Sequence, residues 1–265
     1  MKIYRNTTKI ENSEKWGRRF SLTGLLILFA GLFASFVPNI YPLDQPAPHQ
    51  FGAFLQQYWS FVSFVTLPGG FIFASLGSYF INRFARRRWP DGTIGRPDEV
   101  VEKSMKGFDN KYNYYAYSLP SNYVITGPCG IIPLIVRSDR GTFRVHNDRW
   151  REPFKLSRIL TIFAREGVGN PSSEIELQKE KLTKLLNAHD EGQNLLDVPM
   201  SGAVVFLSSD VELDINNASI EVLKANKLKN FIRQRAKEVK LGSPELEQLN
   251  KFMANAAESV EALKR

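Results

Sequence analysis

Two apolar stretches decide the fold of this chain: FSLTGLLILFAGLFASFVPNIYP at Phe20–Pro42 and FGAFLQQYWSFVSFVTLPGGFIFASLGSYFIN at Phe51–Asn82. Neither contains Asp, Glu, Lys, Arg or His, and the connector between them carries one acid, Asp44, and one histidine, His49. A helix needs about 20 mostly apolar residues to cross a bilayer, and lipid offers no partner to unpaired backbone groups. The sequence therefore predicts a transmembrane helical hairpin followed by a soluble domain.

The charge distribution predicts the orientation of this hairpin. The formal net charge of +8 divides into +7 for residues 1–88 and +1 for residues 89–265. Basic residues flank both outer ends of the hairpin and the connector has none. The positive-inside rule then predicts a two-pass protein of the cell membrane with cytoplasmic N and C termini. The near-neutral soluble part argues against a groove for a phosphate backbone there, with a local basic patch as the open alternative.

Four arginines follow the second apolar stretch: Arg83, Arg86, Arg87 and Arg88. We expect them to anchor the domain on anionic lipid, at roughly 1 kcal/mol per charge. The equally weighted alternative is that they act as a topology signal alone.

Composition divides the chain into five segments. They are a cytoplasmic N-terminal segment (1–19), the hairpin (20–82), a basic juxtamembrane linker (83–97), a domain (98–241) and a C-terminal amphipathic helix (242–265). Residues 1–16 are polar, and we expect them to be mobile. Trp89–Pro97 is rich in proline and glycine, which is typical of a linker.

Within the hairpin, the first span is predicted at Phe20–Val37, ended by Pro38, and the second at Tyr58–Asn82, kinked near Pro68. Both spans lack ionisable residues, which argues against a transport pathway. Small residues at four-residue spacing allow close helix approach, and we interpret them as packing within the hairpin rather than in a dimer or a channel. They are Ala30 and Ala34 in the first span and Gly70, Ala74 and Ser78 in the second.

The soluble domain begins with a predicted helix at Asp98–Phe108, followed by a run of short strands. Segments of turn composition separate the strands, so we expect one antiparallel meander. The strands are predicted at Tyr112–Leu119, Asn122–Thr126, Ile131–Arg137, Thr142–Val145 and Arg149–Arg151.

The second half of the domain is predicted to be mainly helical. Asn170 and Pro171 form a helix start, with a capping box from Ser173 as the alternative, and this helix runs to about His189. The last helix starts at Ser243, and its apolar residues recur every three or four positions, so we expect it to dock on its own domain rather than dimerise. The remaining predictions are helices at Phe154–Phe163 and Lys227–Val239, a buried strand at Val198–Leu207 and an edge strand at Ser219–Leu223.

The single cysteine, Cys129, excludes an internal disulfide and a thiolate metal cluster. It lies in a Gly-Pro-Cys-Gly turn, and neither His146 nor His189 shows a pairing signal that would activate a nucleophile. We interpret Cys129 as an inert small residue.

The order of these motifs resembles the nuclease-related domain family, a branch of the restriction-endonuclease-like fold. The similarity is spread over residues 98–235. It rests on Tyr123–Ile131 (YVITGPCGI), Arg149-Trp150-Arg151, Gly169-Asn170-Pro171 before a helix that carries Gln178, Val198–Phe206 (VPMSGAVVF) and Lys227–Phe231 (KLKNF). The resemblance implies a membrane-anchored α+β protein, with a two-helix transmembrane hairpin, a restriction-endonuclease-like α/β domain and a C-terminal amphipathic helix.

The resemblance also implies where metal chemistry would lie. Family members place an acid before the first core strand and an Asp/Glu-x-Lys on the second, so that carboxylates hold a divalent cation that activates water. Aligned on the Gly-Pro-x-Gly turn, the first acid falls at Ser121 or Asn122, and the Glu-x-Lys falls at Ile135-Val136-Arg137. Both acids are absent and the lysine is an arginine, whereas Gln178 is retained and Asp98 matches the acid of the first helix.

Other carboxylates are weaker candidates for a relocated site. Asp139 and Asp148 lie in turns, where acids usually stabilise the turn itself. Glu238-Val239-Lys240 falls at a predicted helix end, where residues two apart do not share a face. The candidate binding residues are therefore Asn122, Arg137 and Gln178, with no catalytic residue, metal ligand or cofactor predicted. The alternative for Arg137 is that it merely caps the turn at Ser138–Gly141.

Three hypotheses follow for function. The first is a catalytically inactive nuclease-related domain that binds or scaffolds at the cytoplasmic membrane face. The second is an active metal-dependent nuclease with relocated acids, and the third is a subunit or organiser of a membrane protein complex. The expected partners are the lipid bilayer and another protein, bound through the soluble domain or the C-terminal helix, with nucleic acid weakly supported.

Overall fold

The computed structural model describes residues 1–47, 49–153 and 169–262, with the backbone alone at residues 259–262. The described residues form two compact units. One contains residues 1–11, 86–153 and 169–262, and the other contains residues 12–47 and 49–85.

Two long helices, α1 (Thr7–Ile40) and α2 (Gln50–Phe84), cover the apolar stretches. Both are long and apolar enough to cross a membrane, and 22% and 17% of their most apolar windows are buried. Core helices of soluble proteins bury their apolar surface, so these exposed stretches are candidate membrane spans, as the sequence predicts. The predicted ends are wrong, because both helices extend further and Pro38 lies inside α1 rather than at its end, whereas Pro68 lies inside α2 as expected.

Glycines bring the two helices of the hairpin together. A Cβ atom added to Gly24 would lie 2.4 Å from the backbone nitrogen of Ala74, and one added to Gly77 would lie 2.4 Å from that of Ser21. Hydroxyl contacts join the helices as well, with Ser35 Oγ 3.2 Å from Ser63 Oγ. The predicted packing within the hairpin is confirmed; Gly70 and Ala74 were among the predicted contact residues, whereas Gly24 and Gly77 were not.

The larger unit is built on a six-stranded mixed sheet in the order β1-β4-β5-β6-β9-β11. Strands β4, β5 and β6 form an antiparallel meander, and β9 and β11 add parallel to β6. The strands are β1 (Lys2–Arg5), β4 (Asn113–Ala116), β5 (Tyr123–Gly127), β6 (Gly130–Arg137), β9 (Ala203–Phe206) and β11 (Glu221–Lys224).

The N-terminal residues are part of this sheet, so the expectation of a mobile segment at 1–16 is wrong. β1 pairs in parallel with β4, with Lys2 opposite Asn113 and Arg5 opposite Ala116. Asn6 then caps α1 by accepting a hydrogen bond at Oδ1 from the backbone N–H of Lys9, at 2.8 Å. This strand is stabilised by a partner more than a hundred residues away, which the local sequence does not reveal.

Helices cover both faces of the sheet. Helices α3 (Pro97–Ser104) and α6 (Ala225–Val239) pack beside each other, and the other face carries α4 (Pro171–Asn187), α5 (Asp190–Gln193) and α7 (Ser243–Ala262). Leu182 of α4 and Leu249 and Met253 of α7 share one core with Val124. The predicted docking of the last helix on its own domain is therefore confirmed.

The predicted meander does not continue beyond β6. β7 (Gly141–His146) and β8 (Arg149–Arg151) form a hairpin, and β10 (Val211–Asn216) joins β7 in parallel to make a separate three-stranded sheet. β10 was not predicted, because its exposed polar residues hide the alternation of Val211 and Leu213.

The segment predicted as a linker contains a short β-hairpin. β2 (Arg87–Arg88) and β3 (Ile94–Gly95) pair as a hairpin. The indole Nε1 of the buried Trp89 donates to the carbonyl of Gly95 at 3.0 Å, which closes the loop between them.

The start of α4 confirms the predicted cap, since Asn170 Oδ1 accepts from the N–H of Ser173 at 3.3 Å and Pro171 is the first helical residue. The buried strand around β9 and the edge strand β11 are confirmed with shorter bounds. The helix predicted at Phe154–Phe163 lies outside the described residues.

Candidate binding site

Arg137 occupies the last position of β6, where the resemblance places a catalytic lysine. Its side chain is 7% exposed, and its Nε donates to Asp139 Oδ2 at 2.9 Å. The carbonyl of Arg137 accepts a hydrogen bond from the N–H of Leu207 at 2.9 Å. Both partners of this ion pair lie at or just after the end of β6, so Arg137 stabilises the turn that follows this strand.

Strand register decides which residues share a face with Arg137. Arg137 lies opposite Phe206, and Ile135 lies opposite Val204, so alternation points Ile135 to the same side as Arg137. Ile175 of α4 packs in the core with Val204 and Phe206. This face of the sheet is therefore the one that α4 covers.

Gln178 lies one helical turn after Ile175 on α4, so it projects from the same side of that helix. Its Oε1 is buried and has no hydrogen-bond partner among the described residues. A buried amide oxygen without a partner is costly, so Gln178 is a candidate to bind a ligand on this face.

Asn122 lies in the turn before β5. Its carbonyl accepts from the N–H of Tyr117 at 2.7 Å. β5 and β6 are antiparallel, so the start of β5 and the end of β6 lie at the same end of the strands, and Asn122 and Arg137 lie there too. The structure thus places Asn122 and Arg137 at one end of the strands, and Arg137 and Gln178 on one face of the sheet.

The positions of the expected acids hold other chemistry. Ile135 packs against the core cluster that contains Phe143 and Ile175, and an isoleucine offers no oxygen to a cation. Among the described residues, no group of three or more His, Cys, Asp or Glu side chains is arranged to hold a metal ion. Burial raises the pKa of the Cys129 thiol to about 12, so Cys129 remains protonated near neutral pH.

Asp98, the acid of the first helix, lies in a buried ion cluster on the opposite face. Its carboxylate forms an ion pair with Arg5, with Oδ2 2.6 Å from Arg5 Nε, and accepts a hydrogen bond from Arg96 Nε at 3.1 Å; the side chain is 1% exposed. The hydroxyl of Tyr114 donates to the backbone carbonyl of Asp98 at 3.3 Å. Tyr114 alternates with Tyr115, which faces the α4 and α7 side, so Asp98 is not brought together with Arg137 and Gln178.

Two further acids of α3 extend the cluster. Glu102 Oε2 lies 2.5 Å from Arg5 Nη2, and Glu99 Oε1 lies 2.7 Å from Arg86 Nη2. Burial alone would raise the pKa of Glu99, but hydrogen bonds from the Arg86 side chain and the Arg96 backbone lower it overall. Arg5 precedes α1 and Arg86 follows α2, so the segments that enter and leave the apolar hairpin are both bound to α3.

The predicted anchor arginines differ in their surroundings. Arg83 stacks on the ring of Tyr79 at 4.3 Å, and Arg87 stacks on Trp89 at 4.2 Å. Arg86 binds Glu99, whereas Arg88 is exposed in β2. Three of the four therefore contact protein groups, and a lipid-binding role for the set stays a prediction.

A cleft that was not predicted from the sequence lies beside the edge strand β11. It has a volume of about 940 Å³ and is lined by residues that include Lys179, Lys224, Lys227, Asn230, Phe231 and Arg235. Four of these residues, Lys227, Asn230, Phe231 and Arg235, belong to α6 and lie far from Lys179 in sequence. The cleft therefore forms only when α6 packs against the sheet.

No family model, no curated protein and no solved structure matches the chain. The function of the site is therefore argued from its geometry alone.

Proposed function

We propose that this chain is a membrane-tethered, catalytically inactive nuclease-related domain that binds or scaffolds at the cytoplasmic face of the membrane. The main support for this proposal is the environment of the Ile135-Val136-Arg137 segment. Ile135 is partly buried and packs against the core, and Arg137 is buried in an ion pair with Asp139. A metal-dependent nuclease needs oxygen ligands at this place.

The order of the elements supports the family proposal. A helix (α3), three antiparallel strands (β4 to β6), a helix (α4) and a parallel strand (β9) follow one another, which is the arrangement that the resemblance implies. A fold is a scaffold and function depends on the site. An arginine that stays protonated cannot act as a base, but it binds phosphate or carboxylate groups well.

The orientation proposal is supported by β1. Because β1 and β4 share a sheet, the chain before α1 and the chain after α2 belong to one folded unit. A two-pass hairpin satisfies this requirement, and the basic flanks favour the cytoplasm for that unit.

A reporter fused after Arg265 is expected to be active in the cytoplasm and inactive outside it. A cysteine introduced at Gln45 in a Cys129→Ala background is expected to react with a membrane-impermeant reagent from the outer side. Labelling of that cysteine from the cytoplasmic side alone would contradict the proposed topology.

The purified full chain is expected to show no metal-dependent cleavage of single-stranded DNA, double-stranded DNA or RNA with magnesium or manganese. The full chain is required because β1 is part of the sheet. Cleavage that disappears in Asp139→Asn but persists in Asp214→Asn, an exposed acid of β10, would establish the active nuclease with relocated acids.

A further inference from the structure

The outer face of the β7–β8 hairpin carries three arginines and one histidine. Phe143 and Val145 of β7 are 1% exposed and face the core, so alternation turns Arg144 and His146 outward. The register of β8 places Arg151 opposite Arg144 and Arg149 opposite His146. Both rows of this face are therefore basic.

This arrangement is unfavourable for the stability of the hairpin. Like charges directly opposite each other in an antiparallel pair are destabilising. Two acids lie close to them: Asp214 of β10 is 3.6 Å from Arg144, with both side chains largely exposed, and Glu152 lines the same cavity. Arg149, Arg151 and His146 form no ion pair with any described residue. The charges therefore need an explanation other than folding.

The hairpin that carries them is firmly held. Its turn residues, Asn147 and Asp148, both have positive φ, at 49° and 58°, which matches the two-residue turn that suits twisted strands. Asp148 Oδ1 accepts from the N–H of Ser219 at 2.9 Å, and Trp150 Nε1 donates to Ser172 Oγ at 3.1 Å. The cationic side chains thus project from a fixed backbone.

The same side chains line a shallow cavity of about 390 Å³. It is bounded by Arg144, His146, Arg149, Arg151, Glu152 and Pro153. Neighbouring positions are separated by roughly 7 Å along a strand and about 5 Å across the pair. A concave, basic surface of this size matches one or two phosphate groups.

We propose that this face binds a compact ligand with two neighbouring phosphate groups. Guanidinium groups bind phosphate oxygens through paired, charge-assisted hydrogen bonds, and three arginines converge here. A nucleic-acid duplex typically engages about 6–10 phosphates, which is more than this face can reach. The same chemistry occurs in a soluble nucleoside diphosphate and in a multiply phosphorylated lipid headgroup, and the site does not depend on the nuclease-related proposal.

The test is calorimetric titration of the full chain in neutral detergent with inorganic pyrophosphate. We expect saturable binding with one pyrophosphate per chain, weakened at least ~10-fold in Arg149→Glu and in Arg151→Glu. Lys237→Glu makes the same charge change at an exposed site on α6, away from the hairpin, and is expected to bind as the unchanged protein does. Arg151→Glu also places an opposite charge beside Arg144, so its melting temperature is expected to stay the same or rise.

Two competition arms identify the source of the ligand. Displacement of pyrophosphate by a nucleoside diphosphate indicates a soluble ligand, and displacement by vesicles with phosphorylated inositol lipids indicates a headgroup; both support the site. The proposal is overturned by the absence of saturable pyrophosphate binding. It is also overturned if Lys237→Glu weakens binding as much as Arg151→Glu does, because long-range attraction would then suffice.

Discussion

Leucine in place of Gly70 is expected to force apart the two helices of the apolar hairpin. A Cβ atom at Gly70 would lie 2.8 Å from the backbone nitrogen of Leu28 and 2.9 Å from the carbonyl oxygen of Gly24. Backbone atoms cannot move aside as a flexible side chain can, so the helices must separate locally. Overpacking of this kind costs about 1–3 kcal/mol, and we expect the upper end of that range.

Gly69 provides a matched control for this prediction. It is the neighbouring residue in the same helix, and an added Cβ atom there meets nothing within 4 Å. The measurement is disulfide formation between cysteines placed at Ser35 and Ser63, whose hydroxyl oxygens lie 3.2 Å apart across the hairpin, in a Cys129→Ala background. Cross-linking should fall in Gly70→Leu and persist in Gly69→Leu; an equal response of the two variants would mean that glycine packing does not hold the hairpin.

Asparagine in place of Asp98 is expected to destabilise the sheet unit by roughly 3–5 kcal/mol, the cost of removing one partner from a buried ion pair. Asp98 binds both Arg5 and Arg96. When Asp98 is neutralised, each arginine keeps only one acidic partner among the described residues: Glu102 for Arg5 and Glu99 for Arg96. Labelling of Cys129 reports unfolding, because this thiol is completely buried in the native protein and its pKa is raised to about 12.

Asp214→Asn serves as the control. That carboxylate is 68% exposed and lies 3.6 Å from Arg144, and exposed pairs of this kind contribute about 0–1 kcal/mol. If Cys129 is labelled at the same denaturant concentration in both variants, the Asp98 cluster does not stabilise the fold. A further expected consequence of Asp98→Asn is faster proteolysis near Lys2, because Arg5 helps to hold β1 against the sheet.

The sequence alone determined the elements whose stability is local or whose pattern is repeated. The two uncharged stretches predicted both apolar helices, because a run of about 20 apolar residues is by itself enough to indicate a helix that can cross a membrane. Asn170 and Pro171 predicted the start of α4 because capping involves residues three apart, and Asn170 does bond the N–H of Ser173. The spacing of Leu249 and Met253 likewise predicted that α7 docks on the domain.

Only the tertiary structure decided which distant groups meet. Lys2–Arg5 is short and half polar, and it becomes a strand because β4 supplies its hydrogen-bond partners. β10 is recognised as a strand only beside β7. The separation of Asp98 from Arg137 onto opposite faces follows from strand register and from Arg5, since a buried carboxylate requires a charged partner wherever the chain provides one.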